Sequence, residues 1–217
     1  MTAPLELSIV TDPDRVEHCA TTRMPTEHGT FTAHVYRDLL TGAEHVALVS
    51  PGGLEGTRLS TPLVRMHSEC LTGDVFGSLR CDCGPQLQRS MQEVAERGGA
   101  VIYLRGHEGR GVGLAAKLQA YALQDQGVDT VDAQLELGLP VDAREYGAAV
   151  AMLADLGIDR IALLTNNPAK VEALRAAGIV IDQVESVEIP PNPDNEFYLQ
   201  TKRDRMRHRI LLDQMEA

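Results

Sequence analysis

Apolar and polar residues alternate along this chain in two rhythms. Phe31–Arg37 and His45–Ser50 switch character at every second position and carry β-branched side chains, which predicts two strands joined by the turn Thr41-Gly42. Pro51-Gly52-Gly53 marks another turn, and Thr61–His67 reads as a third strand. From Pro85 to Arg97 the period changes: Leu87, Met91, Val94 and Ala95 recur at helical spacing, and Gly98-Gly99 stops the helix. Ala100–Leu104 is a short apolar run, read as a buried strand. The glycine-rich loop Arg105–Gly113 then enters a helix, Leu114–Gln126, which Gly127 ends. Ala143–Leu156 predicts a further helix and Arg160–Leu164 a strand. Asn167 as cap, Pro168 at the first helical position and Gly178 as stop define the next helix. Ile179–Val187 is extended, Pro190, Pro191 and Pro193 break it, and Glu196–Leu212 closes the chain as an amphipathic, basic helix. Its cationic stretch, Lys202 to Arg209, reads as a solvated face.

Strands alternating with helices in the second half, after antiparallel strands in the first, imply an α/β fold: a mixed β-sheet layered with helices. Residues 1–24 contain prolines and charges without a clear period, so they read as an N-terminal extension to a single domain spanning residues 25–217. With 217 residues, 43% of them apolar, the chain buries a core without disulfide support. The net charge of −11 argues against nucleic-acid or anionic-membrane partners. Three Phe, five Tyr and no Trp leave little to stack bases on. No apolar run approaches the ~20 residues of a membrane span, and the N-terminus lacks a basic stretch followed by an apolar one. The expected compartment is the cytoplasm. An anionic ligand needs a local basic cluster working against the global field.

Three of the four cysteines, Cys70, Cys81 and Cys83, fall in one short segment with the spacing C-x10-C-x-C. In a reducing compartment this is a metal pattern rather than a disulfide framework. Thiolates are soft ligands that suit zinc, and three of them leave a fourth tetrahedral position open for a reactive water. Cys19 is the alternative fourth ligand, which would close the site and make it structural. His67-Ser68-Glu69 matches half of the zinc deaminase signature, but C-x-C replaces C-x-x-C, so that match reads as accidental.

Two strand–turn–helix loops carry the remaining polar signals. Arg105–Gly113 holds four glycines and the guanidinium groups of Arg105 and Arg110, a combination that lets backbone N–H groups approach phosphate. Thr165-Asn166-Asn167-Pro168-Ala169-Lys170 places a threonine at a strand end and a lysine in the first helical turn. Locally, Asp142 at a helix start reads as a cap with Arg144 beside it, Tyr121 as a core tyrosine, and His67 as a core histidine or a base.

The strings Arg65-Met-His-Ser-Glu-Cys-Leu-Thr-Gly-Asp, Leu79-Arg-Cys-Asp-Cys-Gly, Glu108-Gly-Arg, Tyr121-Ala-Leu-Gln-Asp-Gln-Gly and Leu164-Thr-Asn-Asn-Pro strongly resemble GTP cyclohydrolase II over about residues 25–208. The resemblance implies conversion of GTP to formate, pyrophosphate and a 2,5-diamino-6-ribosylamino-pyrimidinone 5′-phosphate, opening riboflavin synthesis. It implies one zinc ion per chain on Cys70, Cys81 and Cys83, magnesium on the triphosphate, and a homodimer. GTP-binding positions correspond to Arg65, Met66, His67, Ser68, Glu69, Gln86, Glu108, Gly109, Arg110, Thr130, Thr165 and Lys170. Asp142 matches the proposed general base, Arg144 a proposed nucleophile or charge stabiliser at the α-phosphate, and Tyr121 a catalytic tyrosine. Glu108 is a candidate reader of the guanine N1–H and N2–H2 donors. His107 and Gly111 depart from residues some members carry. Family paralogues lacking the tyrosine stop at a formamidopyrimidine, so Tyr121 predicts the full reaction. The rival readings are such a paralogue and a non-catalytic GTP-binding regulator with structural zinc.

Overall fold

The computed structural model describes residues 12–54 and 61–206. Seven strands form one mixed sheet: β1 (Val16–Thr26), β2 (Gly29–Asp38), β3 (Glu44–Val49), β4 (Leu63–Ser68), β5 (Gly99–Leu104), β6 (Arg160–Leu164) and β7 (Val180–Glu185). Their spatial order is β1-β2-β3-β5-β4-β6-β7. β1, β2, β3 and β5 pair antiparallel, whereas β5, β4, β6 and β7 pair parallel. The expected mixed α/β sheet with an antiparallel N-terminal half is therefore present.

Alternation along the strands sorts side chains into two cores. Val64, Met66, Ile102 and Leu104 meet Met152, Leu153 and Leu174 of the helices α5 (Gly147–Asp155) and α6 (Pro168–Ala176) on one face. Leu63, Val101 and Leu164 meet Met91 and Val94 of α2 (Cys83–Arg97) on the other. Each such burial contributes about 1.5–3 kcal/mol, which makes α2 and α5 the clamps of the central strands. Among the described residues there are four more α-helices: α1 (Leu71–Asp74), α3 (Leu114–Gln124), α4 (Thr130–Glu136) and α7 (Glu196–Met206).

Several elements differ from the sequence expectation. The boundary drawn at residue 25 falls inside β1, which pairs with β2 from Val16↔Asp38 to Thr26↔Gly29. This edge strand is exposed along almost its whole length, so it shows no alternation to read. The helix expected from Ala143 begins only at Gly147. Before it, the Ala143 amide donates to the Arg110 carbonyl at 2.9 Å, and Asp142 accepts from the Arg144 amide at 3.1 Å, so this stretch is a tied loop rather than a first helical turn. α2 starts at Cys83, two residues before Pro85. α1 and α4 had no signal in the pattern; α4 is capped by Asp129, which accepts from the Val131 and Asp132 amides. The end of the last predicted helix, including Arg209 and Leu212, lies outside the described residues.

Candidate functional site

The site lies at the carboxyl ends of the parallel strands, the crevice that open α/β sheets offer to ligands. β4 delivers Arg65, His67 and Ser68 there, the loop after β5 delivers Glu108, Gly109 and Arg110, the loop after β6 delivers Thr165, and the first turn of α6 delivers Lys170. α2 adds Gln86, α3 adds Tyr121, and the loop before α5 adds Arg144. Glu69, Cys70, Cys81 and Cys83 line the same pocket. Met66 does not: its side chain is fully buried in the core, and its part at the site is its carbonyl, which accepts from Lys170 Nζ at 2.7 Å. Asp142 stands behind Arg144. Thr130 opens α4, whose Gln134 accepts from Arg110 at 3.2 Å.

The thiol groups of Cys70, Cys81 and Cys83 lie within 4.8 Å of one another. Cys70 follows β4 and is held by its own amide donating to Asp74 at 3.0 Å. Asp74 also accepts from His67 Nε2 at 3.0 Å and from the Tyr103 hydroxyl at 2.8 Å. Cys83 starts α2, so the C-x-C pair straddles a helix N-terminus, where the macrodipole favours thiolate. Gly73 closes the cage from α1: a Cβ there would lie 2.8 Å from Cys81 Sγ and 3.3 Å from Cys70 Sγ. Three converging thiols in a cradle that tolerates no side chain fit a soft metal ion such as zinc. Hydrogen bonds from Cys81 and Cys83, and then the Lys117 ammonium, pull the Cys70 thiol well below its ordinary pKa. Cys19 is apart, exposed on β1, and is no fourth ligand.

Basic side chains line the same pocket. Lys170 is buried, and burial first, then Arg65 and Arg144, push its pKa well down. Arg144 behaves in the opposite way. Burial disfavours its charge, but Asp142, bonded to it at 2.6 and 2.9 Å, outweighs burial and holds the guanidinium above its ordinary pKa. Asp142 in turn sits below the usual carboxylate range, because Arg144 more than offsets its burial. Asp142 is thus a partner of Arg144 rather than a helix cap. Arg65 Nε, His67 Nδ1 and an Arg110 Nη2 are buried without hydrogen-bond partners among the described residues. The two guanidinium N–H groups are orphaned donors and the imidazole nitrogen an orphaned acceptor, and such groups cost about 1–3 kcal/mol each unless a ligand satisfies them.

Glu108 is almost fully buried, and both its oxygens are engaged. Oε2 accepts from the Leu71 amide at 2.6 Å, and Oε1 accepts from Lys117 Nζ at 2.7 Å and the Gly109 amide at 3.1 Å. It ties the glycine loop to the thiol cage; to read guanine it would have to share these oxygens. Gly109 and Arg110 both adopt left-handed backbone conformations, φ 59° and 65°, which turns the loop sharply back toward α3.

Three site residues escape a reading of the sequence. Lys117 reaches Cys70 Sγ at 3.1 Å as well as Glu108. Its signal was present: it lies four residues before Tyr121, hence on the same helix face. Tyr198 and Lys202 of α7 also line the pocket. Lys202 donates to Asp82, between the two cysteines, at 2.8 Å, with Asp82 buried and Lys202 nearly so. The basic face of α7 read as solvated is, at this position, part of the site wall. Tyr121, by contrast, is the predicted residue, stacked under Arg80 at 4.4 Å from its ring centroid.

A thiolate cage opening onto a cationic pocket at strand ends is the layout of a metal-dependent enzyme for an anionic substrate. The chain belongs to the GTP cyclohydrolase II family, whose profile matches residues 17–188. "Riboflavin biosynthesis protein RibBA" of Rhodococcus jostii (strain RHA1) is 58% identical over 206 residues, covering 93% of this chain and 49% of that protein. The protein of the same name from Salinispora arenicola (strain CNS-205) is 54% identical over 202 residues, covering 93% and 47%. The chain spans about half the length of these curated relatives. Among solved structures, "RibBX, a two domain 3,4-dihydroxy-2-butanone 4-phosphate synthase from A. baumannii" is 22% identical with a TM-score of 0.45, over 82% of this chain and 42% of that one. That likeness is too slight to bear on the site.

Proposed function

We propose that the chain hydrolyses GTP to 2,5-diamino-6-(5-phosphoribosylamino)pyrimidin-4-one, formate and pyrophosphate, the first step of riboflavin biosynthesis. The observation that carries this reading is the shared pocket: the cage of Cys70, Cys81 and Cys83 faces the same cavity as Arg65, Arg110, Arg144 and Lys170. One end suits a purine to be hydrated and the other a triphosphate.

Cys70, Cys81 and Cys83 would hold a zinc ion, which when bound would supply water activated near neutral pH. The protein's own groups do the rest. Lys170, Arg110 and Arg144 neutralise phosphate charge as pyrophosphate departs. Arg144 is a poor nucleophile, because a guanidine attacks only when deprotonated and Asp142 strengthens its hold on the proton. Its role in this reading is charge stabilisation. Asp142 stays ionised at working pH and keeps Arg144 oriented. Burial raises the pKa of the Tyr121 hydroxyl, so it stays protonated and acts as a donor beside the cage. Magnesium arrives with the triphosphate rather than on a protein carboxylate cluster. The family resemblance extends to a homodimer working in the cytoplasm, and among the described residues no helix is long and apolar enough to cross a membrane.

The test is a turnover assay with zinc-loaded protein, GTP and Mg2+, quantifying formate, pyrophosphate and the pyrimidine together. One formate and one pyrophosphate per GTP are expected, with formate abolished and bound zinc lost in Cys70→Ser, Cys81→Ser and Cys83→Ser. Pyrophosphate without formate would instead identify a paralogue that stops early. GTP binding without either product would identify a regulator.

A further inference from the structure

Arg144 stands in a loop that is not part of any helix or strand, yet its position decides what the cationic wall can neutralise. On its Asp142 side the loop is tied by the Ala143 amide to Arg110. On the other side the tie comes from the far edge of the fold. Arg15 ends the short 3-10 turn Pro13–Arg15, just ahead of β1 and of the region matched by the family. Its guanidinium forks in two directions. Nε and Nη2 grip both oxygens of Asp38 at 3.1 and 2.7 Å, and Nη1 donates to Glu145 Oε2 at 2.7 Å while Nη2 reaches Glu145 Oε1. Glu145 directly follows Arg144, and its Oε2 also accepts from the Gly147 amide at 2.9 Å, which opens α5.

Both anchors are built rather than incidental. Asp38 is 2% exposed and accepts in addition from the Leu40 amide and the Thr41 hydroxyl, each at 2.9 Å, so it is a fixed platform at the β2–β3 turn. Gly147 leaves room for the clamp: a Cβ there would lie 2.3 Å from Arg15 Nη1, so a larger residue would displace the guanidinium from its present place. A bidentate fork holding two carboxylates at once is a task lysine cannot reproduce.

We propose that Arg15 is a positioning residue for the reaction: by clamping Glu145 to Asp38 it sets the 142–146 loop so that Arg144 faces the phosphate end of the pocket. This rests on the assignment of Arg144 as the charge stabiliser. The experiment measures kcat and KM for GTP, with zinc content and Tm, in Arg15→Met, Glu145→Gln, their double variant and Arg144→Ala. Arg15→Met is expected to lose about 10- to 100-fold in kcat, the cost of a misplaced catalytic group. KM should stay within about threefold and zinc at one per chain. Glu145→Gln is expected to lose in the same direction, and adding Arg15→Met to it should cost less than about twofold more, since both remove one link. Wild-type kcat in folded Arg15→Met, or losses that multiply in the double variant, would overturn the clamp. A loss of stability alone would lower Tm without producing this split or this non-additivity. Should Arg15→Met not fold, Glu145→Gln, whose side chain is half-exposed, carries the test, and wild-type kcat there overturns the clamp equally. Wild-type kcat in Arg144→Ala would remove the assignment of Arg144 itself, whereas an inactive Arg144→Ala beside an unaffected Arg15→Met would remove only the clamp.

Discussion

At the scale of single residues, charge decides roles. Arg144 and Lys170 are two basic side chains in one pocket, and their pKa values shift in opposite directions because only Arg144 has a carboxylate against it. A charge-stabilising Arg144 predicts that Arg144→Lys keeps a measurable fraction of pyrophosphate release, whereas Arg144→Ala loses about 2–4 kcal/mol of transition-state stabilisation, or roughly 30- to 1,000-fold in kcat. Mass spectrometry of wild-type protein quenched in turnover should find no phosphoramidate on Arg144; an adduct there would restore the nucleophile. The buried histidines make a second, separate prediction. Burial first, then Lys170 and Arg144, push His107 down to about 3, and burial likewise lowers His67 and His45. The unfolded chain therefore binds protons that the folded one refuses, starting near the ordinary histidine value of about 6.5. Stability rises with pH across that window and is lost as pH falls from about 7 toward 5. His107→Gln should flatten the fall in Tm over that interval. Asp38 acts at lower pH: its pKa lies at about 2, so its share is lost as pH falls from the ordinary carboxylate value of about 4 through that value.

At the scale of elements, α7 shows why some of the site was illegible. Its cations read as a solvated face because a basic helix on a protein of net charge −11 has no local reason to turn inward. The reason is Asp82, more than a hundred residues earlier, buried between two cysteines and needing a counter-charge. Breaking such a buried pair from one side leaves the partner uncompensated, at a cost of about 3–5 kcal/mol. Lys202→Met is therefore expected to lower Tm sharply and to loosen Gln86, which donates to Asp82 at 2.6 Å and accepts from Arg65 at 2.7 Å. Adding Asp82→Asn to Lys202→Met should recover part of the Tm, and failure to recover any would place the loss elsewhere. The strands and the α2, α3 and α6 helices were legible because period, caps and glycine stops agree locally, as at Asn167, which does accept from the Ala169 amide. β1 was not, since an exposed edge strand has no buried face to impose a period. The segment 142–146 carried a helical pattern but is claimed by distant partners, Arg110 and Arg15.

At the scale of the whole molecule, the sheet acts as a sorting device. Its two faces bury the core, and its carboxyl edge gathers segments remote in sequence into one cavity. The motifs identified the participants, because the cysteine spacing and the strand-end loops are local signals. They did not convey adjacency: that Glu108 bonds to Lys117 and to the thiol cage's own backbone, or that a residue ahead of β1 braces the loop of Arg144, follows only from the topology.

The thiol cage differs from the rest of the pocket in one respect with a consequence in time. Cys70, Cys81 and Cys83, with the Gly73 that seats them, belong to one short continuous stretch, whereas the cationic wall waits for β4, β5 and β6 to pair across most of the chain. Closing a short loop is fast and entropically cheap, and long-range parallel pairing is slow. On the proposed function, metal capture and substrate capture would therefore mature on different clocks: a nascent or partly opened chain is expected to hold an ion well before it can hold a nucleotide.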